Sequence, residues 1–270
     1  MSQTCAVQEF KTSRVLEVKV GEDSTDPATV ALAPPRAEGP LLVVVWGGKG
    51  GIGKTDTAFK TAYSLGQIGP TLAVNGDKRQ TDGGLDQLYA ALQKAGEDPT
   101  FDYVESDDPS EYKDLRKLTQ FRYIVIDGAP ERDRSKLEAA AENADLNVVP
   151  MVPKPLEITG VQSSIREILR PLGARYRVLL TMVENSKRGS ARNLIATMNA
   201  IGMPVFDTFM RYYVAHQDSG ATGVPLVRGD GPNWNKARAD VYGYLDQLLA
   251  ELGEPYKAVR HPADRDGDTQ

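Results

Sequence analysis

Apolar residues in this chain fall into short unbroken runs separated by stretches with helical spacing. The runs are Leu41–Trp46 (LLVVVW), Thr71–Val74, Tyr123–Asp127 (YIVID), Leu146–Val152 and Arg177–Val183. A run that is apolar at every position, rather than at alternate ones, predicts a strand covered on both faces. Between the runs, helices are predicted over Thr55–Leu65, 84–95, 134–143, 160–170 and 190–201. In the second of these Leu85, Leu88, Tyr89 and Leu92 share one face. Pro204–Phe206 reads as a last short strand, and 234–252 as an amphipathic closing helix. Alternating strands and helices predict an α/β fold, a doubly wound and mainly parallel sheet with helices on both faces. In such folds ligands bind at the carboxyl ends of the strands.

Outside this rhythm the pattern changes. Arg14–Val20 alternates like a short strand, and Gly21–Pro40 is rich in Pro, Gly, Asp and Ala. Residues 1–40 are therefore expected to be a partly flexible extension, 41–252 a single domain, and 253–270 a polar, disordered tail. No apolar run approaches the roughly 20 residues that span a bilayer, so no membrane association is expected. The first residues lack the apolar core of a secretory signal. Cys5 is the single cysteine, which excludes an intrachain disulfide or a cysteine-ligated cluster and suits a cytoplasmic protein. A net charge of −5 argues against global attraction to nucleic acid, although residues 154–260 are locally net basic. His216 and His261 form no metal-binding constellation and are assigned no chemistry.

The first strand runs into Gly48-Lys49-Gly50-Gly51-Ile52-Gly53-Lys54-Thr55, which fits G-x-x-x-x-G-K-[ST] between a strand and a helix. Glycines permit positive φ and let successive backbone N–H groups converge on phosphate oxygens. The helix that follows points its positive end at the same anion. Lys54 is expected to contact the β- and γ-phosphates, and the Thr55 hydroxyl to bind Mg²⁺. Asp56 at the next position either helps hold the ion or caps the helix; the cap is the favoured reading.

With Lys49 included, the segment reads K-G-G-x-G-K-T and resembles the deviant Walker P-loop ATPases of the ParA/MinD family. The resemblance implies ATP and Mg²⁺ as cofactors, and a homodimer closed around ATP in which Lys49 reaches the partner's phosphates. Tyr123–Asp127 resembles the Walker B strand, with Asp127 holding Mg²⁺ through water, and Gly128-Ala129-Pro130 continues the family's D-x-x-P. Asn75-Gly76-Asp77 sits at the family's D-x-D, which makes Asp77 the residue that orients the attacking water. Catalysis is thus expected from Lys49, Lys54 and Asp77. Pro150–Gly160 resembles the proline-rich segment after the family's fourth strand, with Glu157 in an aspartate's place. Asn75 replaces the first aspartate, Lys78-Arg79 stands where the family has Pro-Gln, and Asp56 replaces a threonine; these changes bear on hydrolysis more than on binding.

The likeness runs over roughly 41–252 and is nearest to the short ParA type. The tail HPADRDGDTQ is polar rather than a basic membrane helix, the cysteine pairs of cluster-carrying relatives are missing, and about forty upstream residues are too few for a DNA-reading domain. The resemblance implies an ATP-bound dimer that binds DNA without sequence preference and lets go on hydrolysis, in plasmid or chromosome partition at the nucleoid. An adaptor protein would stimulate it. The DNA-binding candidates are Lys187, Arg188, Arg192, Arg211, Arg228, Lys236 and Arg238. The alternative is a nucleotide-gated positioning ATPase for non-DNA cargo, such as a protein compartment or conjugation machinery.

Overall fold

A run such as LLVVV satisfies its backbone in a sheet and must then cover two faces. The computed structural model, which describes residues 39–47, 51–77, 84–106, 108–129 and 133–254, shows both covers. Strand β1 (Leu41–Val45) sends Val43 and Val45 into one core and Leu42, Val44 and the following Trp46 into another. Around it lie β2 (Thr71–Asn75), β3 (Asp102–Glu105), β4 (Tyr123–Asp127), β5 (Leu146–Met151), β6 (Tyr176–Val183) and β7 (Val205–Arg211). They form one seven-stranded sheet in the order β3-β2-β4-β1-β5-β6-β7. Every pairing is parallel.

The helices divide between the two faces. Helices α1 (Lys54–Gly66), α2 (Leu85–Lys94), α7 (Val214–Thr222) and α8 (Trp234–Glu251) pack on the face of Val43 and Val45. On the opposite face lie α3 (Pro109–Asp114), α4 (Arg134–Asn143), α5 (Pro155–Ser164) and α6 (Arg188–Ala200). Helix α1 is covered almost all round, from Thr57 to Leu65, because it lies between the sheet and α8. Its buried Thr61 hydroxyl meets the Tyr244 hydroxyl of α8 at 3.1 Å, so both polar groups are satisfied inside the core.

At the start of β1, Asp145 accepts a hydrogen bond from the Leu42 N–H at 2.8 Å and pairs with Arg116 at 3.0 Å. This clamp ties β1 to the segments before β4 and β5, so the central strand cannot slide in register.

The predicted α/β architecture is the one observed, and helix 134–143 matches α4. Several features were not anticipated, helix α3 among them. Strand β3 (DYVE) is a polar edge strand with its terminal residues exposed, so it carries no apolar run. Helix α7 buries only Ala215 and Ser219, too little to produce a stripe. Helix α5 starts earlier than expected, at Pro155, and continues as a π-helical stretch, Ile165–Leu169, closed by an Arg170 N–H to Ile165 carbonyl bond of 2.9 Å. Strand β7 also runs five residues past Phe206, to Arg211. The expectations for Arg14–Val20, the rest of residues 1–38, and the tail from 255 lie outside the described residues.

Because Leu248 is fully buried between α8 and the sheet, Leu248→Ala should cost about 2–5 kcal/mol through lost burial and an unfilled cavity. Urea denaturation would measure this, and a loss below roughly 1 kcal/mol would show that α8 is not part of the cooperative core.

Candidate nucleotide-binding site

The site is assembled by register. Parallel pairing sets Asp127 opposite both Val45 and Asn75, so the ends of β1, β4 and β2 come out abreast at one edge of the sheet. The glycine turn after β1, Asp127 and Asp77 are therefore neighbours although far apart in the chain.

Gly48, Lys49 and Gly50 lie outside the described residues, and so do Lys78, Arg79 and Pro130. From Gly51 onward the turn is described. Gly51 and Gly53 have φ of +76° and +85°, the left-handed region that side chains avoid. Gly53 is the N-cap of α1 and supplies no side-chain cap, which leaves the first N–H groups of the helix open to an anion. The Ile52 carbonyl accepts a hydrogen bond from the buried Thr181 hydroxyl at 2.9 Å, which anchors the turn to β6. Lys54 and Thr55 then form the first residues of α1, with Thr55 buried.

Asp127 is 1 % exposed. Burial pushes its pKa up to about 6, the nearby Thr55 hydroxyl and Lys54 charge pull it down, and the Asp77 carboxylate adds to the rise. Neither Asp127 oxygen has a hydrogen-bond partner of good geometry among the described residues, and one Asp77 oxygen is likewise buried without one. Orphaned carboxylate oxygens beside a threonine hydroxyl fit a hard divalent cation, directly or through its water. Among the described residues no cluster of three or more His, Cys, Asp or Glu forms an all-protein metal cage.

The favoured cap is not formed: no side-chain cap bond is made at the start of α1, and the Asp56 carboxylate instead pairs with the Lys60 ammonium one turn along the helix. Lys60 is buried, so desolvation lowers its pKa while Asp56 opposes the shift. Sequence reasoning passed over Lys60 because a lysine on an apolar helix ordinarily extends to solvent.

The basic residues do not form one surface. Arg238 is 1 % exposed, donates to the Val227 carbonyl at 3.0 Å and bonds to Asn235, so it is an internal packing residue and not a phosphate contact. Arg211 is partly exposed and forked onto Asp240, with bonds of 2.7 to 3.0 Å, so its guanidinium is committed to an internal ion pair. Helical periodicity could have shown that Arg238 shares a face with buried positions of α8. Arg228 is exposed and pairs with Glu97 at 3.1 Å, and Lys187 with Glu184 at 2.7 Å. Lys236, Arg188 and Arg192 are exposed. Lys187, Arg188 and Arg192 lie together at the start of α6.

A glycine-capped helix after the central strand, with a buried carboxylate at the end of the neighbouring strand, defines the class: a P-loop nucleotide-binding protein. No protein-family model matches the chain. A curated relative does, the maintenance of carboxysome distribution protein A of Gloeobacter kilaueensis, 30 % identical over 215 residues, or 79 % of this chain and 96 % of the relative. Among solved structures, the ATP complex of a McdA variant from Cyanothece superposes with a TM-score of 0.61 at 16 % identity, over 81 % of this chain and 98 % of that one. The MinD cell division protein of Aquifex aeolicus gives 0.63 at 15 % identity, over 82 % and 100 %. A plasmid partition protein of Borrelia burgdorferi bound to AMPPNP gives 0.58 at 17 % identity, over 77 % and 99 %. The chain belongs to the ParA/MinD family of ATPases.

The folded pKa of Asp127 lies above its ordinary value of 3.8. The folded state therefore binds the extra proton, so Asp127 supports the fold at low pH and that support is lost as pH rises through about 6. In nucleotide-free protein, Asp127→Asn should gain stability relative to the parent by about 3 kcal/mol between roughly pH 4 and pH 7. Denaturation curves at each pH would test this; a parent–variant difference that stays flat would refute the buried, protonatable carboxylate.

Proposed function

We propose that this ATPase is a nucleotide-gated positioning switch: it dimerises around ATP·Mg²⁺, holds a track or cargo in that state, and releases it on hydrolysis. The observation that carries the reading is the convergence of Thr55, Asp127 and Asp77 at the glycine-capped start of α1. Four exposed apolar side chains support a face-to-face dimer. Leu156, Met182, Tyr212 and Val214 all follow or end strands at the carboxyl edge, on the same side as the phosphate site.

In this mechanism the N–H groups of the turn and Lys54 bind the phosphates and orient the terminal one. When bound, Mg²⁺ neutralises phosphate charge, and Thr55 and Asp127 are the residues that would hold it. Asp77 accepts a hydrogen bond from the attacking water and so sets its direction. Lys49, supplied to the partner's site, stabilises charge that develops on the transferred group. Catalysis rests on position and charge rather than on a covalent intermediate.

The preferred cargo is a large protein assembly rather than a replicon. The curated relative is named for distribution of carboxysomes, Arg238 is buried, and Arg211 is engaged by Asp240. Non-specific DNA then serves as the track, contacted by Lys187, Arg188, Arg192, Arg228 and Lys236, and an adaptor on the cargo stimulates turnover. Plasmid or chromosome partition is the second reading; the fold shared with a plasmid partition protein favours it. Fluorescent tagging in the source cell separates the two. Deletion of the gene should cluster protein bodies while plasmid inheritance stays normal, and plasmid loss with normal bodies would reverse the preference.

Lys54→Ala should abolish ATP binding in calorimetry, and retained binding would remove Lys54 from the phosphate site. Lys49→Ala should bind ATP but lose turnover by about 10³-fold, the scale of a trans-acting cation. Asp77→Ala should accumulate as an ATP-bound dimer in size-exclusion chromatography; a monomer with normal turnover would sink its role. For the track, Arg188→Ala with Arg192→Ala should weaken ATP-dependent DNA co-sedimentation and flatten its salt dependence by about two phosphate contacts. An unchanged salt slope would assign DNA binding elsewhere.

A further inference from the structure

At Asn75 the chain departs from the aspartate of the family pattern, and the surroundings of Asn75 show what an amide does there. The side chain is buried and both of its ends are used. Oδ1 accepts the Asp77 N–H at 3.1 Å, and Nδ2 donates to Tyr103 Oη at 3.2 Å. Tyr103 stands on the edge strand β3, where its hydroxyl donates to Glu105 Oε1 at 3.2 Å. Its ring stacks on Tyr89 of α2, with centroids 5.0 Å apart and planes at 19°.

The main chain on either side of Asn75 is equally constrained. The Ser106 N–H donates to the Asn75 carbonyl at 3.1 Å, and the Gly76 N–H to the Asp127 carbonyl at 3.0 Å. A Cβ on Gly76 would lie 2.7 Å from Tyr112 Oη and 2.9 Å from the Asp127 carbonyl, so the backbone passes through a gap that only glycine fits. The chain thus reaches Asp77 along a path closed from both sides.

We propose that Asn75, Tyr103 and Glu105 form a positioning relay that fixes the turn carrying Asp77 beside the phosphate site. The proposal rests on the reading of Asp77 as the residue that orients water. Its direction follows from the donor inventory: an amide offers both a donor and an acceptor, a carboxylate only acceptors. With an amide at 75, the Tyr103 oxygen receives a proton bond and passes its own to Glu105. In Asn75→Asp the phenol proton would have to serve the new carboxylate, Glu105 would lose its donor, and a further negative charge would stand beside Asp127. Burial holds the Tyr103 phenol above its ordinary pKa, so it stays a donor throughout the neutral range. The amide therefore keeps the Asp77 anchor while leaving one charge out of a site that already buries a carboxylate. Asn75, Tyr103 and Glu105 touch no reacting atom; they act through Asp77.

The test uses the full chain with ATP and Mg²⁺ and compares the parent with Asn75→Ala, Tyr103→Phe, Asn75→Asp and Asp77→Ala. Three quantities are read: phosphate release at saturating ATP, the Kd of a fluorescent ATP analogue, and hydrogen exchange at the Asp77 amide. Loss of the anchoring bond should lower kcat about tenfold in Asn75→Ala and about threefold in Tyr103→Phe, which keeps the ring stack. The Kd should hold within about twofold, because the phosphates are bound by other groups. Exchange at Asp77 should quicken in Asn75→Ala and stay protected in Asn75→Asp, which retains the acceptor. Unchanged kcat in Asn75→Ala, or a fall in kcat matched by a comparable rise in Kd, would overturn the positioning role. Normal turnover in Asp77→Ala, beside faster exchange in Asn75→Ala, would refute the water-orienting reading and leave the relay as the anchor of that turn. Slow exchange in Asn75→Ala would refute the relay whatever Asp77 does.

Discussion

A carboxylate buried at the end of a central strand is the constraint around which the rest of this protein is arranged. Taking Asp127 out of water disfavours its charge, and no described side chain meets its oxygens with a well-formed hydrogen bond. The compensation in the protein itself comes from Lys54 and from the open N–H groups at the start of α1. The arrangement that weakens Asp127 as an anion in isolation gives a bound cation the most to gain, since opposite charges attract more strongly where water is thin.

Such a site needs a scaffold that does not yield. Two cores, one on each side of the sheet, pin β1, β2 and β4 so that their ends stay level. The Asp145–Arg116 clamp stops the central strand from shifting, and Thr181 holds the turn from the β6 side. Against this rigid backing stand elements that keep some strain or exposure at the same edge. Met182 has φ of +54° although it is not glycine, and its side chain is partly open to solvent beside the capping glycine. Strain of this kind, about 1–3 kcal/mol, persists where surrounding structure over-determines a residue, and it concentrates at functional edges.

The residues of the candidate nucleotide site are held by the sheet and α1. One chain is kin to a carboxysome distribution protein and shares its fold with a plasmid partition protein and MinD. Residue type alone is a poor guide to a surface. Of the seven basic positions in the C-terminal half considered for DNA, Arg211 and Arg238 serve internal bonds, and the exposed remainder is centred on the start of α6.

Much of the fold was legible because parallel strands covered on both faces leave unbroken apolar runs, and β1, β4, β5 and β6 all do so. Strand β3 and helix α7 were not, since an exposed edge strand and a lightly buried helix leave no periodic trace. For the site, the glycine motif announced Lys54 and Thr55 because a phosphate cradle needs consecutive residues, which one stretch of chain can spell out. Asp127 and Asp77 could be named from the motifs that end their strands, but their nearness to each other is a product of register. The pairing of Asp56 with Lys60 needs only one turn of α1, whereas the withdrawal of Arg238 into the core and the Asn75–Tyr103–Glu105 relay exist only once the elements pack together. Local chemistry is written in order along the chain; hydrogen bonds between distant residues are settled by which surfaces the hydrophobic cores force together.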